Sequence, residues 1–385
     1  MRDTIKKILR EAVGVPEGIY ETSSALFNAI LDNVEDIDFP SEEQITVDID
    51  LSDENLKISD MDIKQVELNL ELIETDQVDE ITLVGMGFGS MGKYEKGRLI
   101  NFFEPGFIKL MVTIAYPEDT DLDDIISFIK KNKSLVVSSI THELKHAFDQ
   151  FKNKYANITD VSKYKATTSS PFEILPIKKF FFKLYFIHKI ENLVRPSELY
   201  ALAQEEGITQ EEFYDFITSS RVFKELKEIE EFSYEKLKEE LKDYIPEINS
   251  VFKQVDLPTN ISKEKKIEKL LEIAYYTFTN KTIESMRDFM TDNFLESFIG
   301  FDEEKQDIFR KLATKASKFG KDYKKFYLYE QKVMNRMATE MKKKISKIYS
   351  IVKQKTNESI NDWDLYRKLF VKETKIDTEL KYPKK

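Results

Sequence analysis

The sequence predicts an α+β protein, and three observations carry that expectation. Between Ile45 and Tyr116 several stretches alternate apolar with polar residues, the two-residue period of half-exposed strands. From Leu122 the apolar residues recur at helical spacing instead. After Gly207 the pattern is almost purely helical. The expected organisation is a helical arm at 1–40, a sheet-bearing domain at 41–206 and a helical C-terminal domain at 207–385.

Composition sets outer bounds. The chain has 385 residues, 41% of them hydrophobic, with 28 Phe and 18 Tyr, enough for a sizeable core. It has no cysteine, so disulfides and thiolate metal sites are excluded, and any transition-metal chemistry falls to histidine and carboxylate. The net charge of -11 is unevenly spread: residues 34–80 hold 17 acidic and two basic residues, and 305–355 hold 16 basic and four acidic. A basic stretch of that kind is the footprint of a nucleic-acid partner or of a solvated helix face. The solvated face is preferred, so nucleic acid is not expected as a partner.

Taken in order, residues 1–40 read as two helices, the second over Ser23–Val34. The opening segment interleaves charges with apolar residues and lacks the continuous core of a signal peptide, so a cytoplasmic setting is expected. Strands are expected at Ile45–Leu51, Val66–Leu72, Ile81–Val84, Arg98–Phe103 and Phe107–Tyr116, with Lys109–Ala115 as the sheet edge. Gly85–Lys93 holds four of the eleven glycines and contains Gly-x-Gly-x-x-Gly. Strand-forming residues follow it where a phosphate site needs a helix, and Tyr94 stands where a P-loop has Ser or Thr, so a flexible hairpin or loop is expected. Leu122–Lys131 and Ser134–Phe151 read as helices, and 153–171 as a long polar loop. Ile177–Val194 reads as a core helix, too interrupted by lysines to span a membrane. Its inward stripe runs Ile177, Phe181, Leu184, His188, Glu191. A further helix is expected to open at Pro196, the position where a missing N–H costs least. Gln210–Phe232, Tyr234–Tyr244, Lys263–Asn293, Glu303–Ser317 and Lys321–Lys355 complete the helical half.

The chemistry concentrates in one stretch. Two of the chain's three histidines, His142 and His146, stand four apart with Glu143 between them, giving His-Glu-x-x-His. On a helix both imidazoles leave one face at a spacing that grips a single zinc ion. Glu143 is then placed to take a proton from a water activated by the ion and return it to a leaving amine.

At Ser138–Asp149 the chain resembles the zincin metallopeptidases, although Lys145 departs from the family's preference for uncharged residues around the motif. The metzincin extension is absent, because Asp149 and Lys152 stand where that branch has Gly and His. The resemblance is to the gluzincin branch, which implies a zincin-like catalytic domain and a third zinc ligand from a Glu on a later helix. Arg195-Pro196-Ser197-Glu198-Leu199-Tyr200-Ala201 looks like that element, making Glu198 the expected ligand, with Glu191 and Asp149 as rivals. Glu198 has a bland alternative as a first-turn acid that complements the helix dipole. Asp149 is the more natural partner for orienting an imidazole. His188 reads first as a hydrogen-bonded core residue, with a donor to the oxyanion of the tetrahedral intermediate or an alternative ligand as its functional reading. The implied activity is zinc-dependent endopeptidase action on a protein or peptide substrate. The residue bias also resembles His-Glu-x-x-His proteins of tailed bacteriophages, which implies a virion or other macromolecular assembly as an alternative setting. The competing expectation is a catalytically idle structural or interaction protein on the same fold.

Overall fold

The computed structural model describes residues 14–35, 44–51, 56–89, 92–95, 98–101, 107–152, 158–168, 173–292, 310–311 and 313–352. The first of the two expected N-terminal helices and most of Glu303–Ser317 lie outside these residues. The architecture is α+β, with one small mixed sheet and a majority of helix.

Eight strands are described: β1 (Gln44–Asp50), β2 (Lys57–Ile58), β3 (Met61–Asp62), β4 (Gln65–Glu74), β5 (Thr82–Gly89), β6 (Gly92–Glu95), β7 (Arg98–Asn101) and β8 (Phe107–Tyr116). The main sheet has the order β1-β4-β8-β5. Alternation in β4 and β8 sends Val66, Leu68, Leu70 and Leu72, and likewise Ile108, Leu110, Val112 and Ile114, to one buried face. On the other face Lys109 pairs with Glu67 at 2.6 Å and Thr113 donates to Glu71 at 3.0 Å. β4 and β8 are parallel, with Val66 opposite Ile108, so a tight turn cannot join them, and β5 to β7 occupy the connection.

This topology corrects two expectations. Lys109–Ala115 is not an edge: β8 lies between β4 and β5, and the edge strands are β1 and β5, the latter antiparallel to β8. The glycine-rich stretch is strand rather than loop through Gly89, with Gly85, Gly87 and Gly89 opposite Thr113, Met111 and Lys109. Pairing with β8 supplies the order that glycine lacks by itself. At Gly87 a Cβ would lie 3.0 Å from Met111 Cε, so the neighbour's side chain covers the place a larger residue would fill.

Helices α1 (Ile19–Glu35), α2 (Leu122–Lys131) and α3 (Lys133–Phe151) accompany the sheet. Gly18, with φ at +78°, lets α1 begin against β2, since a Cβ there would sit 2.0 Å from Lys57 O. A reciprocal capping box between Asp121 and Asp124 starts α2. Ile140, Leu144 and Ala147 seat the motif helix α3 in the core, and Thr141 Oγ1 donates to Ser23 Oγ of α1 at 2.8 Å.

Downstream the segmentation differs from the one expected. The predicted polar loop contains a helix, α4 (Ile158–Thr168). The predicted single helix over Ile177–Val194 is two, α5 (Leu175–Phe186) and α6 (Lys189–Glu205), broken at Ile187–His188. Pro196 therefore lies inside α6 rather than at its start. A proline there leaves the carbonyl four residues back without its helical donor. That carbonyl, Asn192 O, instead accepts from Lys344 Nζ at 3.2 Å.

The remaining helices are α7 (Phe213–Ser219), α8 (Arg221–Glu230), α9 (Tyr234–Glu240), α10 (Ile245–Gln254), α11 (Lys263–Asp292) and α12 (Tyr323–Ile348). Ser220 divides the expected Gln210–Phe232 helix and caps α8, accepting from Phe223 N. Aromatic contacts join α5 to the C-terminal helices: Phe180 meets Tyr327 at 4.9 Å and Phe181 stacks on Phe278 at 5.5 Å between centroids. The buried apolar side chains form one continuous cluster from Val15 to Val352. No helix among the described residues is long and apolar enough to cross a membrane.

Candidate metal centre

Two helices, α3 and α6, build the site. The four-residue spacing on α3 brings His142 Nε2 within 3.1 Å of His146 Nε2, with the rings edge to face. Glu191, in the first turn of α6, is fully buried above them, with Oε2 3.4 Å from His142 Nε2 and Oε1 3.5 Å from His146 Nε2. The two helices pack closely against each other, and Ser197 and Ala201 of α6 are both fully buried.

The donor set fits a metal ion. Bonds of about 2.0–2.1 Å at tetrahedral angles place donor atoms roughly 3.3 Å apart. The two imidazole nitrogens, 3.1 Å apart, are close to that separation, and each has its own Glu191 oxygen nearby, Oε2 at 3.4 Å from His142 and Oε1 at 3.5 Å from His146. His142, His146 and Glu191 thus form a buried group that could hold a metal ion. Two imidazoles and one carboxylate are a donor set that divalent transition metals accept.

Glu198, expected as the third ligand, is placed differently. Its Oε2 lies 2.9 Å from His142 Nδ1, the ring nitrogen turned away from His146 and Glu191. The reason is helical register: α6 runs unbroken through Pro196, so Glu191 and Glu198 sit two turns apart and reach opposite nitrogens of the same ring. Nor is Glu198 a first-turn residue. Asp149, the other rival, pairs with Lys145 on its own helix, both side chains fully buried. His188 is the N-cap of α6, its Nδ1 accepting from Ile190 N at 3.4 Å, and burial lowers its pKa to about 4. Its ring neighbour is Tyr164, 5.5 Å between centroids.

Two further residues complete the surroundings. Arg195 donates through Nη2 to Glu191 Oε2 at 2.8 Å and through Nη1 to Glu198 Oε2 at 2.7 Å, with its guanidinium over the Phe186 ring. Tyr164 of α4 donates to Glu191 Oε1 at 2.7 Å. Neither stood out in the sequence. The signal for Arg195 was its spacing, four after Glu191 and three before Glu198, which shares a face only if the helix continues through the proline. No such signal marks Tyr164, whose helix is polar.

The electrostatics divide the carboxylates. Burial would raise both Glu191 and Glu198, but His142, His146 and Arg195 outweigh it at Glu191, holding it well below the usual range. Arg195 and His142 do the same at Glu198, lowered to about 2. At Glu143, whose Oε1 is 4.0 Å from His142 Nε2, burial outweighs the lowering pull of His142 and Arg195 and pushes the carboxyl up to about 7. The site thus holds two carboxylates kept ionised by their cationic neighbours beside a third that burial raises.

Comparison with family models, with curated proteins and with solved structures found no match in any of the three. The fold and the site therefore define the class directly: an α+β protein with a buried His/His/Glu group able to hold a metal ion.

Proposed function

We propose that the protein is a zinc-dependent endopeptidase of the gluzincin kind, with His142, His146 and Glu191 as the ligands. The observation that carries the proposal is Glu143. A site that served only to staple the fold has no use for a further acidic side chain held 4.0 Å from a ligand nitrogen yet outside the ligand group itself. Zinc, when bound, supplies a Lewis acid for the scissile carbonyl and acidifies a water molecule. Glu143 accepts the proton of the attacking water and delivers it to the leaving amine. Glu198 holds His142 through Nδ1, which fixes the ring's tautomer and keeps the Nε2 lone pair turned inward. β5 packs against the motif helix, and its open edge offers main-chain groups to an extended peptide.

The test is metal analysis of the purified protein paired with cleavage of a casein-like substrate before and after chelation. Cleavage lost on chelation and restored by zinc is the expected result. Retained zinc with no cleavage across a broad substrate set would move the function to a structural or interaction protein.

A further inference from the structure

Arg195 touches both carboxylates of its own helix and so lies between two different parts of the site. Its side chain is 14% exposed. One terminal nitrogen goes to Glu191 and the other to Glu198, while its Nε has no hydrogen-bond partner among the described residues, so the two carboxylates direct a guanidinium that otherwise rests on the Phe186 ring. Glu191 contributes an oxygen to the metal group, and Glu198 contacts the outer nitrogen of His142. The contacts close a ring: Glu191 to Arg195, Arg195 to Glu198, Glu198 to His142, and His142 Nε2 back to Glu191.

We infer that Arg195 is a positioning residue that locks the third ligand and the orientation of the first into one unit. The inference rests on the metal-binding reading above, but not on peptidase activity. A planar guanidinium can hold two carboxylates at once in a fixed geometry, which an ammonium, a compact point charge, does not reproduce. The cation also separates two acidic side chains that would otherwise repel one another behind the ligands. A positive charge so close to a cation site opposes metal binding electrostatically. Its presence is accounted for if the order it imposes outweighs that repulsion.

The experiment measures zinc affinity by competition with a chromophoric chelator, together with the visible spectrum of the cobalt-loaded protein. The proteins compared are wild type, Arg195→Met, Arg195→Lys, Glu198→Gln and the Arg195→Met/Glu198→Gln double variant, with folding checked by circular dichroism. Arg195→Met is expected to bind zinc at least tenfold more weakly, within the range of about 10- to 100-fold seen for outer-shell partners. Arg195→Lys should remain close to the Met variant, and the double variant should bind no more than about threefold more weakly than Glu198→Gln alone, because residues of one unit do not add. The cobalt spectrum should change in every Arg195 variant. Unchanged or tighter binding by Arg195→Met, full recovery by Arg195→Lys, or losses that multiply in the double variant would each overturn the inference. If Arg195→Met does not fold, Arg195→Lys alone decides, since it keeps the charge and loses the bridge. Failure of the wild type itself to bind zinc would instead reject the metal-binding reading.

Discussion

Lys344 Nζ of α12 lies 3.2 Å from Asn192 O, the carbonyl that Pro196 deprives of its helical partner, and 3.1 Å from the Asn192 side-chain oxygen. Asn192 is fully buried, adjoins Glu191, and donates its Nδ2 to Met337 O of the same helix α12. The C-terminal helix is thereby keyed into α6 between Glu191 and Glu198. Replacing Lys344 by Met should cost about 1 to 3 kcal/mol, the usual penalty for a buried acceptor left unpaired. Pro196→Ala restores the missing N–H and should recover much of that loss in the Lys344→Met background. Urea unfolding of the two single variants and the double variant checks this, and additive losses would contradict the coupling.

The ligand assignment makes an ordered prediction. Glu191→Ala should remove a ligand and abolish tight zinc binding, whereas Glu198→Ala should leave binding weakened by about 10- to 100-fold. Equilibrium dialysis against buffered zinc distinguishes them. The reverse order would return the ligand role to Glu198. Saturating zinc should also raise the melting temperature of the wild type but not of Glu191→Ala, since a ligand that prefers the native state stabilises it by mass action.

Glu143 separates binding from catalysis. Glu143→Gln keeps the size of the side chain and removes the base, so the variant should fold, hold zinc and bind substrate. Its turnover should fall by about 10² or more, in line with the 10²–10⁴ that general acid–base catalysis supplies. Steady-state cleavage with metal content recorded for each protein makes the comparison, and equal turnover would reject the role.

The Lys145–Asp149 pair is fully buried one turn along the motif helix. Asp149→Ala leaves an ammonium in the core without this partner and should destabilise the protein by about 3 to 5 kcal/mol. Lys145→Met combined with Asp149→Leu should cost less than Asp149→Ala alone, because a charge pair replaced by apolar side chains no longer has to be desolvated. Chemical denaturation of the single and double variants reads the difference.

Local pattern determined a definite part of this molecule. The alternation at Val66–Leu72 and Phe107–Tyr116 marked the two central strands and their buried faces, because side chains on a strand alternate whatever their neighbours. The His142–His146 spacing marked the paired imidazoles for the same kind of reason: four residues is one helical turn. Tertiary structure decided the rest. Strand order is a non-local property, so which of β5 and β8 forms the edge was not written in either strand. The break at Ile187–His188 is invisible to an apolar stripe that continues in phase across it, and it depends on His188 capping the next helix. Pro196 read as a helix start because proline is most cheaply placed there. It is tolerated two turns inside α6 because Lys344, some 150 residues away in sequence, supplies the donor that the proline removed. With the Asn192 Nδ2 bond to Met337 O, that contact ties α6 to α12 at the proline, and the unbroken register of α6 puts Glu191 on the inner nitrogen of His142 and Glu198 on the outer one.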